Sequence, residues 1–462
     1  MNHLVRISGW LLVGAVVLAS WTFGRFGPAI IPILAAICLT ALVLSMAALP
    51  GPAFPGFRRF LPWLAFLALG GVGLVNPAYE RVVLPDGPFL SRIPHLEFLP
   101  TVVNRGHAAL VLLSFAAAMG TIVALSRTAW SRSRLRQQLT VLVVNAAVIS
   151  LTGLAGKLLP QFTFLGLLPQ TNTLPFATFD YHNNWTGFAV PALAMALGLI
   201  ETRWIRSMRW GQATGVPFVL MISIGLIVAG VILSSSRSGL ILMTVLTGVA
   251  CLRMARHLRQ AGLETVLGRY LRPNALYFVV LVCGVGAVLY AGRGIMKSRW
   301  DYTRMQVEQI SEGNRLESRV FLARDTARMA LARPILGWGN GSWAYIFPSF
   351  AGPEFSFNGG ADRRSFPFAH DDWLQLIAEN GLVGATALLV VPVWLLITLR
   401  RSGRHNPVTF WVLVGIGLVG VLACWDYPFG HPANLLQVAL LFGTGVASSV
   451  LEKRIREGSG DE

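Results

Sequence analysis

The sequence predicts an all-α polytopic membrane protein, and its composition, its apolar runs and the arginines between those runs carry that reading. Of 462 residues, 54% are hydrophobic and only 13% charged, with a mean hydropathy of +0.60, whereas a soluble domain carries roughly a quarter charged residues. A helix needs about 20 apolar residues to cross the hydrocarbon core. About twelve stretches qualify, at roughly 8–24, 28–49, 60–76, 107–125, 138–156, 185–200, 216–233, 238–253, 275–292, 379–399, 408–426 and 433–451.

The loops orient these spans. With Arg6 in the cytoplasm, alternate loops carry Arg58 and Arg59; Arg127, Arg132, Arg134 and Arg136; Arg203, Arg206 and Arg209; Arg253, Arg256, Arg259, Arg269 and Arg272; Arg400, Arg401 and Arg404; and Lys453, Arg454 and Arg456. Every short basic loop then falls on one side, as the positive-inside rule requires. Both termini are expected in the cytoplasm. Arg6 before an apolar run imitates a signal peptide, but no small-residue cleavage site follows and a second span comes at once, so the stretch reads as a retained span. The net charge of +17 is explained by basic loops beside anionic inner-membrane lipid, so no nucleic-acid partner is implied. Cys38, Cys251, Cys283 and Cys424 are scattered through apolar segments; they form neither a disulfide framework nor a metal spacing and read as small apolar packers.

The chain divides into an N-terminal transmembrane bundle (1–175), core transmembrane helices with a tight turn (176–292), a large outer loop (293–378), and C-terminal transmembrane helices with a short cytoplasmic tail (379–462). Polar sequence concentrates on the outer side. A loop with prolines and mixed charge spans 77–106, and a nearly uncharged one at 157–184 ends in Asp180, Tyr181, His182, Asn183 and Asn184. A tight turn, Ser234 to Gly239, joins the seventh and eighth spans. In the large loop, residues 316–332 have helical character, stopped by Pro334 and followed by a flexible turn at Gly337, Gly339 and Gly341. At about 100° per residue, Arg315, Arg319 and Arg333 share one sector and Arg324 and Arg328 point the other way. A second helix starts near His370, capped by Asp371 or Asp372.

Each of these has a plain and a functional reading. Arg237 either snorkels at a span end or fixes an anion with the backbone N–H groups of its serine-rich turn. Arg315 and Arg319 are solvated loop charges, or guanidinium forks for a diphosphate. His370 with Asp371 and Asp372 suggests a metal pair, but capping accounts for one aspartate and no further ligand set is evident. Asn183, Asn184 and Trp185 make a turn and cap, or bind sugar by amide hydrogen bonds and ring stacking. Asp426 and His431 read as an interfacial turn.

Taken in order, these segments resemble the O-antigen ligase and O-antigen polymerase superfamily of bacteria. The turn Ser236-Arg237-Ser238-Gly239 is similar to its core motif. Arg319, followed by Pro334-Ile335-Leu336-Gly337-Trp338-Gly339, resembles the next. His370, with Leu374 and then Glu379-Asn380-Gly381-Leu382-Val383-Gly384, resembles the third, and Asp426-Tyr427-Pro428 a fourth, weaker one. The likeness covers roughly residues 176–445; the first five spans match only in being spans.

The resemblance implies a GT-C-like membrane fold and transfer of a glycan from undecaprenyl diphosphate, on the periplasmic face, to an acceptor. It carries catalytic roles onto Arg237, Arg319 and His370, with Arg315 as a neighbouring candidate. Asn183, Asn184 and Trp185 remain substrate-binding candidates, and which asparagine matches the family's is left open. The residue types suit the chemistry. Fixed arginines neutralise a diphosphate leaving group without a metal, and a neutral histidine accepts or orients the acceptor's proton. No cofactor is called for, and no Asp-x-Asp metal signature of a nucleotide-sugar enzyme is present. Lipid A–core is placed first among acceptors, before a growing glycan or a protein hydroxyl. The rival class is a twelve-span transporter, which expects two similar halves and mid-membrane sites; a glycan-synthesis scaffold without activity is a third reading.

Overall fold

The computed structural model describes residues 2–22, 29–48, 57–84, 87–128, 131–159, 175–210, 217–261, 272–311, 318–357, 362–363, 366–403 and 406–456. Arg315, Arg269 and Arg404 lie outside them, as does most of the 157–184 loop. The longer helices are α1 (Asn2–Ser20), α2 (Ile30–Ala48), α3 (Leu61–Val75), α4 (Arg105–Thr128), α5 (Arg132–Leu158), α6 (His182–Trp210), α7 (Phe218–Leu233), α8 (Arg237–Ala261), α9 (Arg272–Ala291), α10 (Arg293–Ser311), α11 (Ser318–Ala332), α12 (Asp372–Gly403, broken by a kink at Gly381), α13 (Pro407–Leu422) and α14 (Pro432–Arg456).

Over the described residues, the twelve apolar stretches are helical apart from turns at some of their ends. Among the described residues, nine helices are long and apolar enough to cross a membrane, and Phe218–Leu233, Val282–Ala291 and Pro407–Leu422 are shorter apolar ones. The chain is an integral membrane protein. Helix α14 lies at the centre, with 83% of its apolar window buried, whereas α8 lies at the rim with 22%. Start signals are local: Ser131 caps α5 by accepting the Arg134 N–H at 3.2 Å, and Asn406 caps α13 by accepting that of Thr409 at 3.2 Å. All four cysteines are free, but only Cys38 is buried, so packing accounts for that one alone.

The outer loops differ from expectation in two respects. The 77–106 loop contains an antiparallel hairpin, β1 (Tyr79–Leu84) with β2 (Gly87–Arg92), paired from Tyr79 with Arg92 to Leu84 with Gly87. The glycine turn after α11 is clamped rather than flexible. Leu382 and Val383 donate backbone N–H groups to the Pro334 and Ile335 carbonyls at 2.8 and 3.2 Å, and Trp338 donates to Ala378 at 3.1 Å. The Glu379 carboxylate accepts from the Gly341 and Trp343 N–H groups at 2.9 and 3.1 Å. This clasp needs glycine. Gly337, Gly339, Gly341 and Gly381 have φ of +68°, +97°, +67° and +60°, and a Cβ at Gly339 would collide with the Thr101 carbonyl. The spaced glycines of two separate sequence motifs are thus one backbone contact.

Gly339→Ala is expected to lower the thermal midpoint of the purified protein. A positive φ alone costs about 1–2 kcal/mol for a residue with a Cβ, before the clash. Gly248→Ala, where a Cβ meets nothing within 4 Å, is the matched control; equal midpoints for the two variants would contradict the clasp.

A second apolar core, including Leu322, Met329, Trp343, Phe347, Phe355 and Ala378, packs α11 onto the start of α12. Asp325, fully buried, anchors it: Arg324 donates to it at 2.8 and 3.1 Å, and the Gly352 N–H at 2.8 Å. Burial raises the Asp325 carboxyl, but the Arg324 and Gly352 hydrogen bonds and the Arg324 and Arg328 charges outweigh it and hold the group below its ordinary value. The stability this contributes is present above the unfolded-state pKa and is lost as pH falls through the folded one.

Candidate active site

Four helices, α6, α8, α12 and α14, begin at the same end of the bundle, and their first residues meet there. The turn between α7 and α8 is built by its serines. Ser235 takes a φ of +62°, and Ser236 Oγ accepts the Gly239 N–H at 2.9 Å, which caps α8. The Ser236 hydroxyl donates to Asn183 Oδ1 at 2.5 Å. Ser238 Oγ accepts the Trp425 indole N–H at 3.1 Å. Arg237, between these two fixed serines, is the exposed residue of the turn.

Asn183 passes the connection inward. Its amide N–H donates to the Asp426 carboxylate and, at 2.9 Å, to the Tyr181 hydroxyl. Asp426 has no exposed surface and gathers the site. Arg319 Nη2 lies 3.5 Å from Oδ2, and His370 Nδ1 lies 3.4 Å from Oδ1. The Tyr427 N–H donates to Oδ1 at 3.0 Å, and Arg319 also donates to the Tyr181 hydroxyl at 3.2 Å. A buried carboxylate tolerates its charge only with such partners. Phe368, Tyr427 and Tyr181 stack in sequence, 4.4 and 5.5 Å between ring centroids, and the edge of Tyr427 meets His370 at 4.8 Å. Burial and the neighbouring Asp426 and Tyr181 push the Tyr427 phenol well above its usual range, so it stays protonated.

His370 is held in a strained backbone, with φ +55°. Strain of this kind persists where the surroundings over-determine it, and it clusters at functional sites. The chain just beyond is pinned: the Asp372 N–H donates to the Ala423 carbonyl at 2.9 Å, and the Asp372 carboxylate accepts the Phe429 N–H at 2.7 Å. Asp371, not Asp372, caps α12, accepting the Leu374 N–H at 2.9 Å. The two aspartates therefore diverge, and among the described residues no group of three or more histidine, cysteine, aspartate or glutamate side chains gathers as a metal cluster.

Arg319, His370, Asn183 and the Arg237 turn come together, whereas other named residues do not. Trp185 is fully buried against Phe176 and Phe179, so the sugar-stacking role expected of it is corrected: its ring packs the core. Asn184 is buried too, and its carbonyl accepts from Asn434 at 3.0 Å. Arg333 leaves the Arg319 group, stacking on Trp338 at 4.2 Å and reaching Thr101 at 3.3 Å. Arg324 and Arg328 face Asp325 instead, as the face argument expects.

Asp426, in sequence an interfacial turn and part of the weakest motif, is instead the hub; Tyr181 and Tyr427 stand in the sequence only as neighbours, with no role of their own. The available signal was a lone aspartate beside the apolar end of a span, which is costly unless it has a job. His431 is also buried, stacked on Phe179 at 4.6 Å, and burial lowers its pKa to about 3, so it stays neutral and does not titrate with the site.

An apolar helix bundle that brings an arginine, a histidine and a buried carboxylate together at one end defines a membrane protein with a polar site at its surface. Residues 218–389 match the family model described as O-antigen ligase, a span that contains the Arg237 turn, Arg319, the glycine clasp and His370. This match, over that segment, supports the resemblance to the O-antigen ligase and polymerase superfamily. Comparison with curated proteins gives no match.

Proposed function

We propose that this protein is a glycosyltransferase of the bacterial inner membrane, GT-C-like in fold, with about twelve spans and its site on the periplasmic face. It moves a glycan from undecaprenyl diphosphate to an acceptor hydroxyl, with lipid A–core as the first-choice acceptor. A growing polysaccharide chain or a protein hydroxyl are the alternatives. The observation that carries this reading is the meeting of Arg319 and His370, from opposite ends of the large outer loop, on Asp426 at 3.5 and 3.4 Å.

The chemistry follows from that placement. With Nδ1 of His370 turned to Asp426, Nε2 is left to take a proton, and the buried carboxylate stabilises the imidazolium that forms. The acceptor oxygen bonds to the anomeric carbon as the bond from that carbon to the diphosphate oxygen breaks; the acceptor's proton goes to His370. Arg319 and Arg237 neutralise the charge that collects on the departing diphosphate. Tyr181 and Asn183 hold Arg319 and Asp426 in register.

Reconstitution tests the reading. Purified protein given a synthetic lipid-linked glycan should transfer it to one of three offered acceptors: lipid A–core, a lipid-linked glycan or a protein hydroxyl. Movement of the intact donor across proteoliposomes with no transfer would instead support the transporter class. Sidedness is checked separately: a reporter fused near Gly341 should be active only in the periplasm, and one near Arg256 or Arg401 only in the cytoplasm. A cytoplasmic signal at Gly341 would remove the periplasmic site.

A further inference from the structure

The end of the bundle opposite Asp426 carries an arginine cluster. Arg136 is half-buried where α5 packs along α6, within electrostatic reach of Arg206, Arg132 and Arg203. Residues 127–136 and 202–217 contain no aspartate or glutamate. The one carboxylate nearby in sequence, Glu201, is engaged elsewhere, by Arg253 at 2.6 Å, His257 at 2.9 Å and the Trp411 indole at 2.7 Å. Four guanidiniums of like charge, one of them partly withdrawn from solvent, repel one another unless an anion lies between them. The surface beside them is apolar: Ile205, between Arg203 and Arg206, is 37% exposed, and Phe218, Val219 and Ile222 on α7, which packs along α5, are 40–50% exposed. A cationic cluster beside an exposed apolar surface matches an amphiphile with a phosphate head.

We propose that Arg132, Arg136, Arg203 and Arg206 form a specific site for the phosphate of an anionic phospholipid, whose acyl chain lies along Ile205 and the start of α7. Guanidinium suits phosphate because its paired N–H donors match two oxygens at once. A site in which four guanidiniums converge differs from the general attraction of basic loops to anionic lipid, which acts on each charge alone. It lies away from the Asp426 site and does not depend on the transfer reaction.

Native mass spectrometry of the full-length protein in detergent tests this, with phosphatidylglycerol, phosphatidylcholine and inorganic phosphate as probes. The wild type should retain phosphatidylglycerol and shed phosphatidylcholine. Arg136→Gln with Arg206→Gln should weaken retention roughly tenfold or more, while Arg400→Gln with Arg401→Gln, in another basic loop, should leave it unchanged. Equal loss in both double variants would mean diffuse attraction and overturn the site. Displacement of the lipid by inorganic phosphate would overturn the lipid as the source of the anion. Should the Arg136 and Arg206 double variant not fold, the wild type decides alone, and equal retention of the two phospholipids overturns the proposal.

Discussion

On the proposed function, Arg319→Ala is expected to abolish glycan transfer while the protein stays in the membrane. Its guanidinium bridges the Asp426 carboxylate and the Tyr181 hydroxyl, so removal takes away a cation aimed at the leaving diphosphate and leaves a fully buried carboxylate short of one partner. Loss of a fixed group of this type costs roughly 10²–10³ in turnover. Arg237→Ala is expected to have the same effect, with the serine turn still folded through Ser236 and Ser238. Lysine rescues either position poorly, because an ammonium cannot reproduce a planar fork. Arg324→Ala and Arg328→Ala leave transfer nearly intact, since both face Asp325; Arg324→Ala does lower the thermal midpoint, because it strips that buried carboxylate of its bidentate partner. The assay is transfer per membrane-inserted protein, and equal losses in all four variants would erase the distinction between the two arginine faces.

His370→Ala is expected to collapse turnover, by roughly 10²–10⁴ for a general base, while the lipid-linked donor should still bind through Arg237 and Arg319. Asp426→Asn does the same with the histidine present: it keeps the shape of the hub and removes the charge that faces His370 Nδ1 at 3.4 Å. Chelators leave the wild type unaffected if arginine does the work of a metal at the diphosphate. Two measurements on purified protein decide the matter: transfer with and without EDTA, and donor affinity of the His370 variant. Activity lost in EDTA and restored by a divalent cation would move His370, Asp371 and Asp372 into a metal site. Wild-type turnover by His370→Ala would take the histidine out of the mechanism.

Much of this was legible in the chain itself. Membrane spans announce themselves because hydrocarbon selects each residue in turn, with no help from the fold: among the described residues the apolar runs are helices, and α11 begins at Ser318 where periodicity placed a helix from about 316. The arginine faces of α11 were also readable, since helical geometry is local. Arg333 was the exception. It sits at the helix end beyond Ala332, where Trp338 and Thr101 capture it, and helical phase no longer governs its direction.

The sequence by itself determined the membrane class and the helical segments, and its resemblance to a known family named Arg237, Arg319 and His370 as candidates. The first two follow from residue type and from neighbours within a turn or two. Only the tertiary structure decided what gathers the three side chains. Asp426 lies far from each in sequence, and its importance comes from burial and from partners on α6, α11 and the start of α12. The same holds for Trp185, whose chemistry would suit a sugar but whose surroundings are Phe176 and Phe179. The glycine clasp joins backbone atoms of two segments that no spacing within either one pairs. Hydropathy and periodicity act along the chain; burial, ion pairing and backbone contact act across it, and the site is made by the second set.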